Sequence, residues 1–140
     1  MDPFVLDASV AISWFFPGDP TEDTPYSRRV LASLAVRDAL VPPIWPFEIA
    51  NTLFVAFSKR KRITEQQIKE YLERLAALPI RLEPAELWAS VRLEGCARNW
   101  NLSAYDAAYI DLALRRGLPL ATTDDALRKV ALAEGLELIP

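Results

Sequence analysis

The sequence predicts an α/β protein: a three-layer α/β/α sandwich around a central parallel sheet of about five strands. Three observations predict it. Short β-like runs recur at 3–7 (PFVLD), 39–42 (ALVP), 80–83 (IRLE), 118–123 (LPLATT) and 136–139 (LELI). Longer segments with helical patterning lie between them, and strands alternating with helices build βαβ units. The punctuation also agrees, because Gly117 and Gly135 each follow a helical segment, where a left-handed C-terminal cap belongs.

Taken in order, strand 3–7 runs into a helix at 9–15 (SVAISWF), and a second helix follows at 25–38. Strand 39–42 leads to a third helix at 47–61 (FEIANTLFVAFSKRK). The stretch PFEIANTLFVAF (46–57) is apolar nearly all round, which predicts burial on more than one side. Thr64 opens a fourth helix, where Gln67 has the spacing of a capping box, and Pro79 limits it. Strand 80–83 precedes helices at 85–100 and 103–117, and strand 118–123 precedes the last helix at 125–134. Ala107, Tyr109 and Ile110 surround Asp106, so that helix too reads as buried on more than one side. No repeat, low-complexity tract or linker interrupts the chain, which reads as a single domain over 1–140.

Composition narrows the chemistry. No apolar run reaches the length of a membrane span, and the start, MDPFVLD, lacks the basic stretch and cleavage site of a secretory signal. The one cysteine, Cys96, excludes an internal disulfide framework and suits a reducing cytoplasm; its helical surroundings read it as a small buried hydrophobe. The chain has no histidine, which removes Ser-His-Asp and Cys-His nucleophiles, imidazole acid–base pairs and nearly all zinc hydrolase sites. A net charge of -3 argues against a constitutive nucleic-acid coat, though not against a nuclease whose acidic site is neutralised by metal.

Ligands of open parallel sheets bind beyond the carboxyl ends of the strands. Four acids fall at that edge. Asp7 ends the first strand, Glu48 and Asp106 sit in first turns of helices, and Asp124 directly follows LATT. Each has a plain structural reading: Asp7 as an N-cap, Ser103 with Asp106 and Thr122 with Asp125 as capping boxes, Glu48 as a favourable charge at a helix start. Their conjunction favours a site, because Asp7 and Asp106 lie among apolar neighbours whereas caps lie in polar loops. Carboxylates converging at about 4 Å repel by about 4 kcal/mol per pair at an effective dielectric near 20, and such a cluster persists when a cation occupies it. Oxygen ligands without His or Cys select Mg²⁺ or Mn²⁺.

VLDASV, FEIANTL, LSAYDAAYIDLAL and LPLATTDDAL, in this order along the whole chain, resemble the PIN-domain nucleases and, among them, the VapC-type toxins of toxin–antitoxin pairs. The resemblance places the family's acids on Asp7, Glu48, Asp106 and Asp124, all four present. Ser9, Asn51 and Thr122 match supporting polar positions. Asp125 either assists the metal or caps the last helix, and capping is the preferred reading. The resemblance implies a cytoplasmic, Mg²⁺- or Mn²⁺-dependent endoribonuclease acting on RNA. Asp7 and Asp106 would ligate directly, with Glu48 and Asp124 ligating or orienting water. It also implies a homodimer and a VapB-type antitoxin laying an amphipathic helix into an apolar groove.

Three competitors are weighed on residues. A phosphoacceptor signalling domain needs a Lys after a late strand, and neither LATTDD nor LELIP offers one. A haloacid-dehalogenase-type phosphatase needs a second Asp two residues after the first, where Ser9 stands. A non-catalytic binding module would keep the fold without the activity. The basic run SKRKR (58–62) would lie about 20 Å from Glu48 at about 1.5 Å per helical residue, and it reads first as a helix end carrying favourable cations and second as an RNA contact.

Overall fold

A computed structural model describes residues 1–140 and shows the α/β architecture. Four strands, β1 (Phe4–Leu6), β2 (Ala39–Val41), β3 (Ile80–Leu82) and β4 (Leu120–Ala121), form one sheet in the order β3-β2-β1-β4. Every pairing is parallel, with Phe4 opposite Ala39, Leu40 opposite Arg81 and Leu6 opposite Ala121. All three residues of β1 are fully buried, so the strand that ends at Asp7 runs through the core. The fifth run, 136–139, makes only an isolated bridge between Leu138 and Leu120. The Leu136 N–H instead turns back to Ala131 O and closes the last helix, and Pro140 has no N–H with which to extend a ladder.

Seven helices flank the sheet: α1 (Ala8–Ser13), α2 (Pro25–Ser33), α3 (Trp45–Ser58), α4 (Glu65–Ala76), α5 (Ala89–Trp100), α6 (Ala104–Arg116) and α7 (Asp125–Ala133). Local chemistry sets their ends. Thr24 with Ser27 and Thr64 with Gln67 complete capping boxes on α2 and α4, and Gly117 closes α6 at φ 63°. Asn101 adopts the left-handed conformation that ends α5. In α3 the first turn takes in Trp45 and Pro46, because a proline there forfeits no helical hydrogen bond, so the helix begins before the expected Phe47.

α6 is buried over seven consecutive residues, Ala107–Ala113, as its composition predicts. α3 is a correction. Only the stripe Trp45, Ile49, Leu53 and Ala56 is buried, while Phe47 and Phe54 are 70% and 58% exposed. The stripe follows helical spacing and faces the core, and no layer of this chain covers the other side. Trp14, Phe15 and Phe16, by contrast, are half-buried and pack against the core. Phe15 packs edge-on to Tyr71 at 5.0 Å, and Trp14 Nε1 donates to Ser27 O at 2.8 Å, tying α1 to α2. Cys96 is half-buried and unpaired.

Candidate active site

The site begins where β1 gives way to α1. Asp7 donates its N–H to Ala121 O (3.0 Å), which sets it beside the end of β4, and it occupies the N-cap of α1. As a cap it is weak, accepting from Ser9 N–H at 3.4 Å. Its stronger bonds are to hydroxyls: Ser9 Oγ and Thr122 Oγ1 both donate to Oδ2 at 2.7 Å. Thr122, fully buried, also accepts from the Asp124 N–H at 3.0 Å, so one hydroxyl joins two of the four acids. Asp7 is 4% exposed, and burial raises its pKa above the ordinary 3.8 despite these donors.

Asp106 lies in the first turn of α6, where Ser103 is the cap and takes the Asp106 backbone N–H at 3.1 Å. Only this half of the expected capping box forms, leaving the Asp106 carboxylate free of cap duty. Glu48, in the first turn of α3, accepts a 2.7 Å bond on Oε1 from the Tyr109 hydroxyl. Burial raises both carboxyl groups, and neighbouring charge adds to it: Asp124 raises Asp106, and Asp7 and Asp106 raise Glu48. Asp106 also raises Asp7. The four acids therefore share one electrostatic neighbourhood.

They are not drawn into contact. No three of them stand close enough to form a ready-made ligand set, so the expected convergence at about 4 Å is not present. Asp7, Glu48 and Asp124 are each held by their own donors, and the Asp106 carboxylate accepts from none. Asp124, not Thr122 or Asp125, caps α7, taking Leu127 N–H at 2.9 Å on Oδ1. Asp125 is the first helical residue and lies exposed, which corrects its reading as the cap. Asn51 is exposed one turn beyond Glu48, bonded to none of these acids.

In chemistry, though not in spacing, this all-oxygen donor set without His or Cys suits a hard divalent cation. Asp19, Asp23, Asp38, Asp111, Glu83 and Glu94 all pair with arginines. Asp7, Glu48, Asp106 and Asp124 pair with none, although Asp7 is buried and Glu48 and Asp106 are half-buried, where a carboxylate without counter-charge is costly. The basic run is partly used elsewhere: Arg62 pairs with Asp19 at 3.0 Å and lies 4.5 Å from the Phe16 ring centroid. Tyr109 is the site residue that sequence reasoning took only for core packing. Its position three residues after Asp106, on the same face of α6, was the available signal.

The sequence profile of the PIN domain matches residues 4–133. The chain belongs to the PIN domain family. PIN domains are typically metal-dependent nucleases, and this PIN domain places its acids at the sheet edge where such folds bind ligands. Among solved structures it is similar to the crystal structure of PAE2754 from Pyrobaculum aerophilum, with a TM-score of 0.65 at 19% identity, over 89% of this chain and 76% of that one. At that identity the likeness speaks for the PIN fold alone. No curated protein sequence matches this PIN domain.

Proposed function

We propose that the chain is a Mg²⁺- or Mn²⁺-dependent endoribonuclease and the toxin of a toxin–antitoxin pair, working in the cytoplasm. The observation that carries the nuclease reading is Asp7: an almost fully buried carboxylate at the end of β1 with no cationic partner, raised by the charge of Asp106 and itself raising Glu48. Asp7 and Asp106 would hold the cation, with Glu48 and Asp124 completing the ligand set or orienting water. When bound, such a cation makes its water more acidic and offsets charge on the phosphoryl oxygen. The chain's own work is to fix Asp7 through Ser9 and Thr122, and to present Asp106 and Glu48 from first turns of helices. The test is cleavage of a structured RNA with Mn²⁺, Mg²⁺ or EDTA. Cleavage in both metals and none in EDTA is expected; activity that survives EDTA, or none in any condition, would return the chain to a non-catalytic binding module.

Two surfaces support the partner readings. A cleft of about 480 Å³ lined by Trp14, Phe15, Leu31, Tyr71 and Leu75 suits an amphipathic antitoxin helix. The uncovered Phe47–Phe54 stripe of α3 supports a homodimer. Light scattering should therefore give about twice the 15.7 kDa chain mass, and Phe54→Asp should give the single mass with unchanged circular dichroism. A wild type that stays monomeric across the micromolar range would leave that stripe without a second copy. No helix is long and apolar enough to cross a membrane.

A further inference from the structure

One buried hydroxyl touches the elements that carry three of the four acids. Tyr109 is fully buried on α6, one turn beyond Asp106. Its Oη accepts from the Ala8 N–H at 3.3 Å, in the residue that follows Asp7, and donates to Glu48 Oε1 at 2.7 Å. Glu48 makes no other side-chain hydrogen bond, so Oε2 is left free. A glutamate has three rotatable side-chain bonds, and a half-buried one held at one oxygen loses most of that freedom before any ligand arrives. A phenol suits this task because it donates to a carboxylate without competing for a cation.

We propose that Tyr109 is a positioning residue for Glu48: its hydroxyl fixes the glutamate against the start of α1 and the first turn of α6, so that Oε2 faces the site. This rests on the metal-nuclease reading with Glu48 in the ligand set. A hydroxyl that merely satisfied buried polar atoms would stabilise the fold without touching metal affinity.

The test compares Mn²⁺ binding by calorimetry in the wild type, Tyr109→Phe, Glu48→Gln and the double variant. Phe keeps the ring volume, so packing is retained. Tyr109→Phe should weaken Mn²⁺ binding by about 10–100-fold, the usual consequence of losing the partner that orients a ligand. Added to Glu48→Gln it should weaken binding by less than about twofold, because the two changes act through one carboxylate. Wild-type affinity in Tyr109→Phe, or an equal loss in both backgrounds, overturns the proposal. A wild type that binds no Mn²⁺ removes the metal-site reading itself, and the proposal falls with it. A second measurement needs no substitution. In protein labelled with ring-¹³C tyrosine, the Tyr109 Cζ resonance should shift on saturation with Mg²⁺, and a resonance that stays in place counts against the proposal.

Discussion

Asp7→Asn and Asp106→Asn should each reduce metal-dependent RNA cleavage by about 10³-fold or more, beyond the 10–100-fold typical of losing an outer partner. The circular dichroism should not change. For Asp7 the reason is visible in its surroundings. Asn has almost the same shape and is itself a good N-cap, so the weak bond from Ser9 N–H survives. The two hydroxyls that donate to Oδ2 can rotate to accept from an amide instead. What disappears is charge, and charge is what a hard cation needs. For Asp106 the separation is cleaner still, because the Ser103 cap bond runs to the backbone N–H, which Asn keeps. Near-wild-type cleavage by either variant in Mg²⁺ or Mn²⁺ would show that its carboxylate serves the fold only.

Sequence reading reached the architecture because parallel βαβ order, caps and helix stops are local signals. Thr64 with Gln67 and Gly117 behave as their spacing requires. It erred where the deciding interaction is not local. Thr122 with Asp125 has capping-box spacing, yet the Thr122 hydroxyl is taken by Asp7, 115 residues away in sequence, and the cap passes to Asp124. In α3 the string of apolar residues could not reveal that one stripe alone finds core beneath it. Asp7 occupies the N-cap and a buried polar pocket at once, so capping does not exclude a place in the proposed site. Tyr109 went unread for a related reason: among apolar neighbours on α6, a phenol looks like packing until its hydroxyl is seen bonded across to α3.

The remaining large effect is thermodynamic, and it needs no RNA. Without metal, Asp7, Glu48 and Asp106 have folded-state pKa values raised chiefly by burial, from ordinary values of 3.8, 4.5 and 3.8. A raised carboxyl pKa means the folded state holds the proton more tightly than the unfolded chain. Each group therefore costs stability as pH rises from its ordinary value through its raised one, and the cost is complete once the folded group ionises. Near neutral pH, Asp106→Asn relieves part of that cost. Asp106 is partly open to water, so the relief is at most about 1 kcal/mol. It is opposed by about 0.3–1 kcal/mol of lost attraction between the carboxylate and the α6 N-terminus. In EDTA the variant should accordingly melt within a few degrees of the wild type. Added Mn²⁺ should separate them. At about 100 times its dissociation constant a ligand stabilises by about 2.7 kcal/mol, and at about 2–4 °C per kcal/mol the wild type should rise by about 5–10 °C. Asp106→Asn, having lost a ligand and a charge, should rise by less than half as much. Four melting curves decide it: both proteins, each in EDTA and in Mn²⁺. Equal shifts on adding metal would sink the assignment of Asp106 to the metal. Asp124→Asn adds a control within the same design, since Asn keeps the cap on Leu127 while removing the charge that raises Asp106. If Asp124 belongs to the ligand set, its Mn²⁺ shift should shrink as that of Asp106→Asn does; if it is a cap alone, the shift should match the wild type.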